Sequence, residues 1–410
     1  MMMRAVLAAS LAAGSGGACA ATLSVGAGKT YATLAAAAAK ANPGDTIVVS
    51  PGVYTSGATW SDSGLTIRVA TGAAPGSVIV RGGTVGGKAL FVTKGDNITV
   101  QGIRFEGARV ADGNGAGIRS EGRNLTVINA EFVGNEMGIL ATGTTNGNTL
   151  TVRGSRFDNT KSKRTGSIGH ALYVGNTIDG LVVENSTFTR SFVGHYIKSR
   201  ARTATITGNR IDDTNGTASY LIDLSEGGGA TIASNVLVKG AKASNCCTAI
   251  AYGFEMKKGT TFQNPAAPVR ITGNSFTNLR ASNVTFFANR STPANPVSLS
   301  GNTMTARAGT IRLYSGPVSG TPSEGALGAG FGVEETGMLV AGELTAFPAV
   351  FADYRGAAPW PAGTDAAAAR QDSIAAFADR ALAVPEAGIF ALFGLGLAGI
   401  IASRARRGGR

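Results

Sequence analysis

The 410-residue chain holds only two histidines, and both follow glycine in closely similar segments. These are Gly169-His-Ala-Leu-Tyr-Val174 and Gly194-His-Tyr-Ile-Lys-Ser-Arg200, and Ser219-Tyr-Leu-Ile-Asp-Leu224 continues the series. His170, His195 and Tyr220 are evenly spaced, 25 residues apart. If the segments are neighbouring strands in register, Leu172, Ile197 and Ile222 stack inward. Tyr173, Lys198 and Asp223 then stack outward, about 4.8 Å apart, with Arg200 on the same face. His170, His195 and Tyr220 stack at the strand entrance. A phenol, two imidazoles, an ammonium, a guanidinium and a carboxylate thus gather on one exposed strip.

That set suits the chemistry of an acidic sugar. A lysine or arginine neutralises the sugar carboxylate and so acidifies the neighbouring C5 proton. A base such as His195, Lys198 or Tyr173 removes it. Protonation of the leaving oxygen gives β-elimination, and re-protonation from the other face gives epimerisation. The expected catalytic residues are therefore Tyr173, His195, Lys198 and Arg200, with His170, Tyr220 and Asp223 binding substrate. The bland reading is an exposed Lys198–Asp223 ion pair worth under about 1 kcal/mol, beside hydrogen-bonded turn histidines. No cofactor is called for. Calcium needs several clustered oxygens, and Asp223 and Glu226 are the only nearby acids expected on this strip.

The elements that must position this strip come from a repeat. Octets begin at Ile98, Leu125, Leu150, Leu181, Ala204, Ala230, Val269 and Val297, spaced by 27, 25, 31, 23, 26, 39 and 28 residues. Positions one and three are apolar and position two is usually polar, which is strand alternation. A Gly-Asn, Ser-Asn or similar pair then turns the chain through left-handed backbone. Position eight is again apolar and re-enters the core. One such coil cannot bury its own face, but stacked coils share a core. Asn209, Asn235, Asn274 and Asn302 hold one octet position and are placed to form an amide ladder. Earlier coils are expected at 46–49, 65–69 and 78–80. The expected fold is an all-β parallel β-helix of about ten coils, roughly 50 Å long at ~4.8 Å per coil.

Ahead of the coils, Thr30 to Asp45 reads as an alanine-rich helix ended by Pro43-Gly44, placed to cap the open end of the stack. This entry and the octets together resemble the pectin-lyase-like right-handed parallel β-helix superfamily over roughly residues 23–315. The resemblance implies the fold and not the reaction. Polygalacturonases of that superfamily use paired aspartates ahead of Gly-His, whereas Asp212-Asp213 follows Gly194-His195 here. A solvated turn is the simpler expectation for that pair. Cys246-Cys247 is either an adjacent disulfide or two partly buried thiols.

Both ends read as targeting segments. Residues 1–20 fit a secretory signal, with Arg4, an apolar run and Ala18-Cys19-Ala20. The order Val384-Pro-Glu-Ala-Gly388, an apolar run from Ile389 to Ala402 and four arginines resembles the PEP-CTERM sorting signal of Gram-negative bacteria. Ala387 stands where a second proline is usual. The resemblance implies transient anchoring in the inner membrane until an exosortase removes the tail. The domain plan is then 1–20 signal, 21–316 β-helix, 317–383 linker or cap and 384–410 sorting tail, with an exported or cell-surface monomer.

The formal charge of +12 falls to +8 without both ends, which fits an anionic partner. No basic helix with interleaved aromatics supports nucleic acid. With 43% hydrophobic residues the chain is not wholly disordered, and its three cysteines make no disulfide framework. Two functional classes remain. One is an enzyme acting on an anionic, uronate-containing polysaccharide, a lyase or epimerase. The other is a non-catalytic polysaccharide-binding or matrix protein.

Overall fold

Each of the eight octets turns at its fifth residue. Gly102, Asn129, Gly154, Asn185, Gly208, Ser234, Gly273 and Gly301 all have positive φ, between 49° and 73°. Glycine and asparagine reach this left-handed region most cheaply, and Ser234 is the one exception. The bend sends the first half of the octet into one sheet and the second half into another. The third residues, from Val100 to Leu299, are buried in the first sheet, and the eighth residues, from Phe105 to Met304, are buried in the second.

The computed structural model describes residues 20–143, 147–162, 168–291, 295–307, 309–316 and the strand Met338–Leu339. It is a parallel β-solenoid of about ten turns, built from sheets of 11, 10 and 11 strands. Strand neighbours pair in parallel, except that Met338–Leu339 pairs antiparallel with Ile311–Ser315. The chain divides into two compact units. The solenoid belongs to Met1–Lys163 with Ile168–Glu343, and the unit Arg164–Ser167 with Leu344–Arg410 lies outside the described residues. So do the signal at residues 1–19, almost all of the 317–383 linker and the apolar tail.

Stacking like on like fills the core. Phe105, Phe132, Phe157 and Phe188 are register partners in the second sheet. Their rings lie 5.2, 4.6 and 4.6 Å apart and almost parallel. The asparagine ladder forms as expected. Asn209 Nδ2 donates to Asn235 Oδ1 at 3.0 Å, Asn235 to Asn274 at 2.9 Å and Asn274 to Asn302 at 2.8 Å. Each amide also bonds the backbone, so buried donors and acceptors at the bend are satisfied coil after coil.

The N-terminal helix is shorter than the sequence suggests. A single five-residue turn, Leu34–Ala38, is N-capped by Thr33 and buries only Leu34 and Ala37. Alanine favours helix, but so small an apolar face gives a longer helix little to pack on.

Candidate active site

The equal 25-residue steps place the three segments in register on the third sheet. Leu172 pairs with Ile197 and Tyr173 with Lys198; Ile197 pairs with Ile222 and Lys198 with Asp223. The glycine before each histidine is a packing requirement. A Cβ on Gly194 would overlap the carbonyl oxygen of Gly169. Val193, just before it, is exposed and held at φ 70°, an unusual conformation for a β-branched residue. The His195 N–H donates to His170 Nδ1 at 3.0 Å, which places the proton of a neutral His170 on Nε2. An aromatic file climbs the coils from here. The His170–His195 and His195–Tyr220 ring centroids are each 4.9 Å apart. Phe254 meets Tyr220 edge-on at 5.7 Å, and Arg290 lies 4.2 Å over Phe254.

Beside the file lies an ionic cluster. Lys198 Nζ is 3.0 Å from Asp223 Oδ2 and 2.6 Å from Glu255 Oε1. Arg200 Nε is 2.9 Å from Glu226 Oε1, and its other nitrogens bond Glu255 Oε2 and the Tyr173 hydroxyl. Asp223 Oδ2 also faces His195 Nδ1 at 3.1 Å and accepts from Ser225 Oγ at 2.8 Å. All seven expected site residues are thus brought together: Tyr173, His195, Lys198 and Arg200, with His170, Tyr220 and Asp223.

The strip is not exposed, as the sequence suggested, but covered. The side chains of Lys198 and Asp223 are only 8% and 3% accessible. Burial, then the repulsion that a protonated His170 would meet from a protonated His195 and from Lys198, pushes His170 well below the usual histidine range. Burial also lowers His195, although Asp223 opposes this. Both are neutral imidazoles at neutral pH. Burial works against the Lys198 charge, but the Asp223 and Glu255 carboxylates outweigh it and hold the ammonium above its ordinary value. Lys198 is therefore suited to neutralise an anion and unsuited to accept a proton. Asp223 is held far below the usual carboxylate range, against the cost of its burial, by Lys198 and His195. Burial pushes fully buried Glu226 up to about 7.

Glu255 was not anticipated. It sits on a loop after Thr248–Tyr252, outside any strand pattern, and reaches back more than 50 residues to the strip. The one signal for it is the 39-residue step between the octets at Ala230 and Val269, which marks an insertion. Asp212-Asp213 is not a solvated turn. Asp213 is fully buried and accepts from the Tyr196 hydroxyl and the Ala218 N–H, each at 3.0 Å. Cys246 and Cys247 form the adjacent disulfide on an exposed turn.

Residues 39–246 match the family described as periplasmic copper-binding protein (NosD). Residues 383–407 match the PEP-CTERM protein-sorting motif. Copper in a protein wants converging imidazole and sulfur donors. Here His170 Nδ1 accepts a backbone N–H, His195 Nδ1 faces Asp223, and Cys246 and Cys247 are bonded to each other. Among the described residues no three His, Cys, Asp or Glu side chains are grouped to hold a metal, so the residues present do not fit a resident copper.

No curated protein matches the chain. Among solved structures, pectate lyase Pel9A is similar over 76% of this chain and 82% of its own, at 16% identity and a TM-score of 0.47. An alginate lyase from Paenibacillus sp. str. FPU-7 is similar over 73% and 99%, at 20% identity and a TM-score of 0.42. At these identities the likeness is one of fold. Since the family match spans just over half of its length, the chain belongs to the NosD family of β-helix proteins.

Proposed function

We infer that the protein is an exported β-helix that acts on an acidic, uronate-containing polysaccharide by removing the sugar C5 proton, as a lyase or epimerase. One observation carries this reading: Lys198 and Arg200 hold a single carboxylate, that of Glu255, between them, while His195 faces the Asp223 that also pairs with Lys198 and Tyr173 bonds Arg200. In the proposed reaction the sugar carboxylate takes that place and its charge is neutralised. This stabilises the carbanion that forms at C5. His195, neutral and oriented through Nδ1 by Asp223, accepts the C5 proton at Nε2. The C5 electron pair forms the C4–C5 double bond, the C4–O4 bond breaks, and the Tyr173 hydroxyl protonates the departing oxygen. An epimerase returns a proton to the opposite face of C5 instead. The sorting motif fits export, with tail 384–410 removed by exosortase-type machinery after transient inner-membrane anchoring.

A second reading has its own observation. The file His170, His195, Tyr220 and Phe254, with Arg290 over Phe254, stacks rings about one coil apart, an aromatic ladder of the kind a non-catalytic polysaccharide-binding protein would use. The test is to incubate the purified protein with a panel of polyuronates and follow the ultraviolet absorbance of the unsaturated uronate. The expected result is a rise that His195→Ala and Lys198→Ala abolish. Exchange of the C5 proton with solvent, without that rise, identifies the epimerase. Binding with neither result leaves the matrix protein.

A further inference from the structure

Three carboxylates surround the two cations of the strip, and they are not equivalent. Asp223 lies on the strand Ile222–Leu224 and Glu226 on the turn after it. Their side chains are 3% and 0% accessible. Glu255 comes instead from the inserted loop, and its side chain is 30% accessible. Its two oxygens divide between the two cations, Oε1 to Lys198 Nζ at 2.6 Å and Oε2 to Arg200 Nη2. Lys198 lies on the strand Ile197–Ser199 and Arg200 just beyond it, and a single carboxylate spans the two. That is the place assigned above to a sugar carboxylate.

The loop presents Glu255 from one of its anchored ends. It is pinned at two points. At one end the Gly253 and Glu255 N–H groups donate to Leu224 O and Ser225 O at 2.9 and 2.8 Å. At the other, the Asn264 N–H donates to Glu226 O at 3.0 Å, and Asn264 Nδ2 to Ala201 O at 3.0 Å. Bonds internal to the loop lie between these points. The Lys257 N–H donates to Phe262 O at 3.2 Å, the Thr260 hydroxyl to Lys257 O at 2.7 Å, and the Gly259 N–H to the Gln263 side chain at 3.1 Å. Residues 257–261 are exposed and include Lys257 and Lys258. With the Glu255 backbone held, its partly exposed side chain is the part that can turn away from the cations. The basic tip of the loop attracts a polyanion.

We propose that Glu255 is a built-in stand-in for the ligand's carboxylate, and that an acidic sugar enters by turning the Glu255 side chain away from Lys198 and Arg200 and taking its place. The proposal rests on the polysaccharide reading only for the identity of the ligand; the carboxylate seat itself rests on the ion pairs. It accounts for a strip that holds the right groups yet is closed.

The test uses D-glucuronate and acetate as probes, with glucose as the neutral control, against the wild-type protein, Glu255→Gln and Glu255→Ala. Removing the resident carboxylate leaves two buried cations short of a partner. Glucuronate and acetate are expected to bind both variants at least about tenfold more tightly than wild type, as a charge-assisted contact is worth. They are also expected to restore the melting temperature lost by Glu255→Ala. Glucose does neither, and Lys198→Ala in the Glu255→Gln background abolishes the gain. Equal binding of glucuronate by wild type and both variants overturns the proposal. So does a gain that survives loss of Lys198. The two readings fail separately. A carboxylate seat revealed in Glu255→Gln, with no polyuronate bound or altered, keeps the seat and sinks the polysaccharide. Polyuronate turnover without any gain for the monosaccharide does the reverse.

Discussion

The acids around Lys198 and Arg200 titrate in opposite senses, and this gives the site a pH signature. Burial raises Glu226 to about 7 from an ordinary 4.5. A raised acid binds its proton in the folded state before the unfolded one does. Stability attributable to Glu226 therefore rises as pH falls through 7 and is complete below the ordinary value. Asp223 is depressed from 3.8, so its contribution is present above that value and is lost as pH falls below it. The melting temperature of wild type relative to Glu226→Gln should increase between pH 8 and pH 5. Relative to Asp223→Asn it should fall below pH 4. A pH-independent difference for Glu226→Gln would show that its carboxyl is not raised. At this scale the sequence was informative wherever residues recur. The equal spacing of His170, His195 and Tyr220 gave the register, and alternation gave the shared face of Tyr173, Lys198 and Asp223. Glu255 was not legible, because an insertion has no period and its partners are set by the path of a loop. Burial was missed for the same reason, since the loop covers the strip.

The octet is the element that converts sequence into geometry, and its fifth and sixth positions decide whether a coil closes. Seven of the eight fifth positions are glycine or asparagine, and Ser234 holds the same backbone at φ 56°. Ser234→Gly should stabilise the protein by roughly 0.5–1 kcal/mol in denaturant unfolding, because the left-handed penalty exceeds the entropy cost of glycine. A loss of stability would mean that the hydroxyl matters more than the backbone. The sixth position has a larger effect. Asn235 Oδ1 accepts from both the Asn209 N–H and its side chain, at 2.8 and 3.0 Å, and Asn235 Nδ2 donates to Ile206 O at 2.8 Å. Asn235→Ala orphans several buried groups at once and should cost about 3 kcal/mol or more. This ladder was readable because identical side chains recur at one octet position. The N-terminal helix was overread because alanine content reports propensity, while helix length depends on what the face can bury.

For the whole molecule the question is whether a polyanion is held by its diffuse charge or by the strip. The chain carries a formal +12, and exposed charges are screened beyond about 8 Å at physiological salt. Attraction through overall charge should weaken steeply as salt rises. A carboxylate seated between Lys198 and Arg200 lies in the covered strip, where screening is slight. Binding of a polyuronate should therefore show two components. The association rate falls with salt, as electrostatic steering does, while a residual affinity persists in concentrated salt. Lys198→Ala should remove the residue and leave the salt-dependent steering nearly intact, since it changes the total charge by one unit. A polyuronate affinity that vanishes with salt equally in wild type and Lys198→Ala would place recognition on the solenoid surface at large. The strip would then be a structural ion cluster, holding the inserted loop against coils whose register is already set by their core.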